Sequence, residues 1–388
     1  MDYDKLISPG AAAMRPSGIR KFFDIAAEMK DCITLGVGEP DFKTPWSIRQ
    51  AGIDSLQKGH TFYTSNSGLA ALRTEISNYQ QRRFGLTFDP ATQILVTVGG
   101  SESIDQCIRA FVKPGDEVMI PEPSFVCYHP LTTLTGGVPV TIPLKAENEF
   151  RLTAEELRAA ITPRTKLLVF PFPSNPTGAV MRREHMEEIA EVLRGTDILV
   201  LSDEIYAELT YGGERHVSIS SLPGMQERTI VVNGFSKSHA MTGWRLGYAC
   251  GPAPLIALLT KIHQAAIMCA PTTSQYAGIV AMRDCDKEVE NMRDEYDLRR
   301  RFLMGRFAEM GLPCFEPKGA FYVFPDIRKT GLTSGEFCER LLEKAQVAMV
   351  PGNAFGDSGE GFVRISYAYS IDHLTQAMER LETFLKSF

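Results

Sequence analysis

The sequence predicts an α/β fold: a mainly parallel, seven-stranded sheet covered by helices, followed by a smaller α/β domain. Three observations carry this. Short apolar runs alternate with helical patterns between about residues 45 and 285. The runs are continuously apolar rather than alternating, as suits strands buried on both faces. The loops after successive runs also carry Gly, Asn and charged residues, at the strand ends where such sheets place their ligands.

In chain order, strands are expected at 94–98, 117–120, 139–144, 166–170, 198–202, 229–233 and 246–250. Helical patterns fall between several of them, at 101–112, 153–161 and 183–194. Residues 281–310 have no Pro and no Gly before Gly305, and read as one long helix bridging two domains. Short strands at 321–324, 347–350 and 362–366 and a helix from Asp372 then make the smaller domain. The expected division is 1–45, an N-terminal segment packing on the small domain or a partner subunit; 46–285, the large domain; and 286–388, the small one.

Composition narrows the function. With 388 residues, 44% hydrophobic and 23% charged, the chain is ordinary for a globular protein with a sizeable core. A net charge of −6 argues against a nucleic-acid binder, which would need a basic face. No apolar stretch approaches the roughly 20 residues of a membrane span. The start shows no basic region followed by an apolar one, so no secretory signal is expected. The eight cysteines never form C-x-x-C, and the seven histidines lack H-x-x-x-H spacing. Free thiols in a reducing cytoplasm, and no metal site, are therefore expected.

The loops supply the chemistry. SKSHAMTGWRLG, residues 236–247, follows an apolar run and sets Lys237 eight residues before Arg245. A lysine partly desolvated at a strand end can lose its proton near neutral pH and attack a carbonyl. Arginine offers a bidentate fork for phosphate. Together they meet the needs of pyridoxal 5′-phosphate (PLP) held as a Schiff base, although most Lys and Arg are solvated surface residues.

GGSES, residues 99–103, opens a helix, where free N–H groups make an anion site or an ordinary cap. In PFPSNPTG, residues 171–178, a tight turn fixes Asn175. SDEIY, residues 202–206, ends a buried strand on Asp203. Buried there, Asp203 needs a cation such as a protonated pyridine nitrogen, or else caps a helix. Tyr206 either donates to a phenolate oxygen or packs in the core. Arg364, inside the apolar run FVRISYA, needs an anion: a substrate carboxylate or an internal salt bridge.

Assembled, these motifs resemble the fold-type I PLP enzymes, and among them the class I/II aminotransferases of the bacterial aspartate, aromatic and acetyl-diaminopimelate subgroup. The resemblance runs from LGVGEPDF at 35–42 through YTSNSG at 63–68 to VRISYA near the end. It implies that Lys237 carries the cofactor and shuttles the proton, that Asp203 holds the pyridine nitrogen, and that Tyr206 and Asn175 hold the phenolate oxygen. Arg245, Ser236 and the backbone of Gly100, Ser101 and Glu102 would bind phosphate, with Phe125 stacked on the ring. Tyr63 would reach the phosphate of a neighbouring subunit, implying a homodimer with shared sites. Arg364, with Gly38 and Asn175, would grip the substrate α-carboxylate.

The implied reaction is ping-pong transfer of an amino group from an L-amino acid to a 2-oxo acid such as 2-oxoglutarate. Aspartate, aromatic and diaminopimelate-type donors remain open. Ser101 stands where some relatives have a lysine for a distal carboxylate. Arg20 could replace that lysine, or Phe22 and Phe23 could line an apolar pocket. The rival readings are a carbon–sulfur β-lyase on the same scaffold and a PLP-binding regulator, which would need a DNA-binding segment before motifs that here begin by residue 35.

Overall fold

In the computed structural model the described residues are 1, 5–14, 29 and 31–388. Arg20, Phe22 and Phe23 lie outside them. The strands, in chain order, are β1 (Ile33–Thr34), β2 (Ile94–Thr97), β3 (Glu117–Glu122), β4 (Val138–Pro143), β5 (Thr165–Phe170) and β6 (Leu199–Asp203). They continue with β7 (Thr229–Gly234), β8 (Gly247–Cys250), β9 (Tyr322–Val323), β10 (Val347–Ala348), β11 (Val350–Pro351) and β12 (Val363–Ser366). The seven strands expected between residues 94 and 250 form one sheet, in the order β2-β8-β7-β6-β5-β3-β4.

Only β8 runs against the rest, pairing antiparallel with both β2 and β7. Both faces of the sheet are covered, which is why its strands read as unbroken apolar runs. Along β7, Val231 packs with Ile48, Leu72 and Ile76 of the helices Trp46–Gln57 and Ala70–Phe84. Its neighbours Ile230 and Val232 face Ile104, Ile108 and Ile256 on the opposite side. Each such side chain, fully buried, contributes about 1.5–3 kcal/mol of transfer free energy.

The smaller unit has its own core, in which Phe321, Val347, Ile365 and Leu381 are wholly buried beside Leu303 and Phe307 of the helix Asp286–Met310. Its three-stranded antiparallel sheet is ordered β11-β12-β9. The N-terminal segment divides between the two units. β1 pairs with β10 of the smaller one. The helix Pro9–Ala12 instead lies on the large one, where a Cβ on Gly10 would come 3.1 Å from the carbonyl oxygen of Leu134.

Two expectations are corrected. The single helix over 281–310 is two helices, Thr272–Asp284 and Asp286–Met310, separated at Cys285. Arg82 explains the break. One guanidinium nitrogen donates to the Met282 carbonyl at 2.8 Å, taking a C-terminal acceptor of the first helix. The same side chain bonds both oxygens of Asp286, the first residue of the second helix. No Gly or Pro marks the site, so periodicity alone ran through it. The single strand over 347–350 is likewise split, because β10 pairs with β1 while β11 pairs with β12.

Candidate active site

β2, β5, β6 and β7 run parallel, so their carboxyl ends share one edge of the sheet. β8 runs the other way and brings its beginning to that edge, where Gly247 pairs with both Thr97 and Gly234. Residues after the parallel strands and just before β8 therefore meet. They line a cavity of about 340 Å³.

At one end of the cavity, a helix start and Arg245 form a positively charged nest. The helix Gly100–Phe111 starts after Gly99, whose φ of 80° favours glycine. A Cβ on Gly99 would lie 2.7 Å from Nη2 of Arg245, and one on Gly247 would lie 2.5 Å from the Gly99 carbonyl carbon. Bare backbone thus lets the helix start, Arg245 and β8 close on one another. Gly100, Ser101, Ser236 and Arg245 all face the cavity.

Glu102 departs from the expected nest. Its N–H donates back to the Gly99 carbonyl at 3.2 Å. Its carboxylate turns away from the cavity, accepting from the Val98 N–H and lying 2.6 Å from Nδ1 of the buried His263. Glu102 shapes the nest rather than facing it, because its side chain ties down the turn that precedes the helix.

Asp203 ends β6, 6% exposed, and accepts from the Tyr128 hydroxyl at 2.7 Å and the Ile205 N–H at 3.3 Å. Burial pushes its carboxyl up, and the Tyr128 hydrogen bond opposes that shift. No arginine or lysine reaches it within ion-pair distance among the described residues. Tyr206 is buried, its hydroxyl 2.8 Å from that of Tyr322. Phe125 supplies an aromatic wall, meeting Tyr128 edge-on with ring centroids 6.0 Å apart.

The half-buried Lys237 donates from Nζ to the Gly38 carbonyl at 2.6 Å. Burial pushes its ammonium down to about 8; Glu39 opposes this and the Arg364 and Arg245 charges add to it. Arg364, on β12, is 4% exposed. It donates to Oδ1 of Asn175 at 2.9 Å and to the Gly36 carbonyl, while its Nε has no partner among the described residues. The salt bridge that sequence left open is absent among those residues. Three cations, Lys237, Arg245 and Arg364, thus bond only to neutral groups among the described residues around one cavity.

Of the expected residues, Tyr63 does not reach this cavity; it is 80% exposed on the outer surface. Tyr128 and Tyr322 were not anticipated. Tyr128 could have been found as the aromatic one helical turn beyond Phe125, whereas Tyr322 comes from the smaller unit, whose strands gave no strand-end signal.

Residues 30–381 match the family described as aminotransferase class I and II. The chain belongs to this family. It is 48% identical to an aspartate aminotransferase of Pyrococcus abyssi, with 96% of each chain covered. It is also 46% identical to an aromatic-amino-acid aminotransferase of Thermococcus litoralis, again over 96% of each. The crystal structure of an aromatic aminotransferase from Pyrococcus horikoshii superposes with a TM-score of 0.90 at 46% identity, covering 95% of this chain and 99% of that one. The protein is therefore an aminotransferase of fold type I. The edge on which its cavity opens is the one the topology makes available.

Proposed function

We propose that this aminotransferase holds PLP in the cavity at the sheet edge and moves the amino group of an L-amino acid to a 2-oxo acid, 2-oxoglutarate being the expected acceptor. The observation that carries the reading is the set of charges: among the described residues, three cations have no carboxylate partner and one buried carboxylate has no cation. PLP and an amino acid complement that set with a phosphate, an α-carboxylate, an aldehyde for the amine and a ring nitrogen for Asp203.

The residues divide the work by position. Arg245, Ser236 and the backbone at Gly100 and Ser101 bind the phosphate. Phe125 stacks on the ring, Tyr206 and Asn175 donate to its phenolic oxygen, and Asp203 keeps its nitrogen protonated. When bound, PLP supplies an electron sink for the bond broken at the substrate Cα. Lys237, freed by the incoming amine, would be the base whose Nζ takes the substrate Cα proton and hands it back on the cofactor side of the new imine. Arg364 orients the α-carboxylate, with Gly38 beside it.

The exposed Tyr63 fits the remaining part of the reading, a homodimer in which each copy supplies this hydroxyl to its neighbour's phosphate. A cytoplasmic setting agrees with eight free cysteines and with the absence, among the described residues, of any helix able to cross a membrane.

The donor is tested by a panel of aspartate, aromatic amino acids and acetyl-diaminopimelate against 2-oxoglutarate, with Lys237→Ala as control. Glutamate formation from at least one donor, lost in the variant, is the expected outcome. Turnover unaffected by Lys237→Ala would contradict the reading. Pyruvate and thiol released from cystathionine, without glutamate formation, would reassign the protein as a carbon–sulfur β-lyase.

A further inference from the structure

Tyr322 belongs to β9 of the smaller unit, yet its hydroxyl reaches into the larger one. It lies 2.8 Å from the Tyr206 hydroxyl, and the two rings meet edge-on with centroids 5.8 Å apart. On another side, the Arg364 guanidinium carbon sits 4.6 Å from the Tyr322 ring centroid and 4.6 Å from that of Phe355. The cation is held between two aromatic rings, an attractive arrangement when desolvated. Gly38 closes the remaining approach: a Cβ there would fall 2.2 Å from the Tyr322 hydroxyl oxygen. Tyr322 and Tyr206 are 1% and 4% exposed, so the pair is shielded from bulk solvent.

We propose that Tyr322 is a positioning residue that couples the carboxylate site at Arg364 to the hydroxyl of Tyr206. The proposal rests on the reading above, in which Tyr206 donates to the phenolic oxygen of PLP. A tyrosine hydroxyl has a single proton to donate. With the Tyr206 proton directed to the cofactor, the proton in the bond between the two tyrosines must come from Tyr322. That orders a chain: Tyr322 donates to Tyr206, and Tyr206 donates onward. Hydrogen bonds in such chains polarise one another.

Arg364, over the Tyr322 ring, strengthens the first donor, and a carboxylate bound to Arg364 offsets that charge. Occupancy at one end is thereby felt at the other. The groups facing the pair are Arg364 and Asp203, with the phenols of Tyr296, Tyr367 and Tyr369 around Tyr322; Lys237 lines the same cavity. Burial pushes both phenols of the pair up, so both remain protonated where the enzyme would work.

Tyr322→Phe removes the hydroxyl and keeps the ring against Arg364. The cofactor absorbance of the holoenzyme is titrated with pH, alone and with saturating 3-phenylpropionate, a carboxylate with no amino group to transfer. In the native protein the carboxylate should raise the midpoint of the titration. In Tyr322→Phe the resting midpoint should already lie about half to one pH unit higher. The carboxylate-induced rise should fall to about half or less. KM for the amino acid should stay within about twofold while kcat declines. Tyr322→Leu, lacking the ring as well, should also raise KM. Midpoints and carboxylate responses equal to native in both variants would overturn the coupling while leaving the PLP reading intact. A native protein with no pH-dependent cofactor band would overturn that reading, and the coupling with it.

Discussion

Asp203 carries a carboxyl whose ionisation is opposed by its burial at the end of β6. Burial raises its carboxyl, and the donors that pull it back are the Tyr128 hydroxyl and the Ile205 N–H. A protonated Asp203 could not hold a cationic ring nitrogen. Tyr128→Phe removes the nearer donor, so the carboxyl should rise further. The acid limb of the kcat/KM profile should then move to higher pH, with the plateau about 3–10-fold lower. A profile identical to native would show that Tyr128 only fills space.

Lys237 runs in the opposite direction. Burial lowers its ammonium to about 8, so the neutral, attacking amine predominates above that pH. Cofactor capture by the apoprotein, followed as growth of the absorbance band, should rise with pH through about 8 and level off above it. A rate still climbing steeply past pH 10, as about expected of a solvated lysine, would contradict the assigned environment.

The sequence revealed the residues that carry charge at the end of a large-sheet strand. Lys237, Asp203 and Asn175 were legible for that reason, because a buried charge or amide between apolar runs has few structural explanations. Tyr128 and Tyr322 were not. A tyrosine in an apolar stretch looks the same whether its hydroxyl meets a carboxylate, another phenol or a backbone carbonyl.

Among elements, the antiparallel β8 matters most for the site. It turns the beginning of a strand toward the ligand edge, which is how Arg245 joins residues that follow the other strands. Its first residue has no space for a side chain, since a Cβ on Gly247 would lie 2.5 Å from the Gly99 carbonyl carbon and 2.6 Å from the Gly100 nitrogen. Both are backbone atoms and cannot rotate aside. Gly247→Ala should push the nest out of shape at a cost of about 1–3 kcal/mol, weakening PLP retention about tenfold or more. Equilibrium dialysis would measure this, and unchanged affinity would mean the nest does not hold the phosphate.

All seven large-sheet strands were legible because both faces are covered and the apolar runs are bounded by turn residues. The break at Cys285 was invisible because its cause, Arg82, lies on a different helix, more than 200 residues away in sequence. The division of 347–350 was hidden for a similar reason. Periodicity reports the local conformation and says nothing of two partners meeting one segment.

At the scale of the molecule, two units face one cavity. The large sheet supplies Lys237, Asp203 and the helix start beside Arg245, and the smaller unit supplies Arg364 and Tyr322. A third contribution is proposed to come from a second copy. Beside Tyr63, Phe62 is 80% exposed, and the preceding helix exposes Trp46 and Leu56 at 59% and 57%. Burying such side chains is the usual driving force for association. Sedimentation should therefore give twice the 43.0 kDa chain mass. Tyr63→Phe should weaken PLP affinity about tenfold with the dimer intact. A monomer that binds PLP at full affinity would refute the shared site.

The proposed chemistry depends on Lys237 being the residue that joins the cofactor. The direct measurement is borohydride reduction of the holoenzyme, followed by peptide mass spectrometry. A reduced pyridoxyl group is expected on the peptide containing Lys237, and none on that peptide when an amino acid is added before the borohydride. A label on a different lysine, or a protein that takes up none, would contradict it.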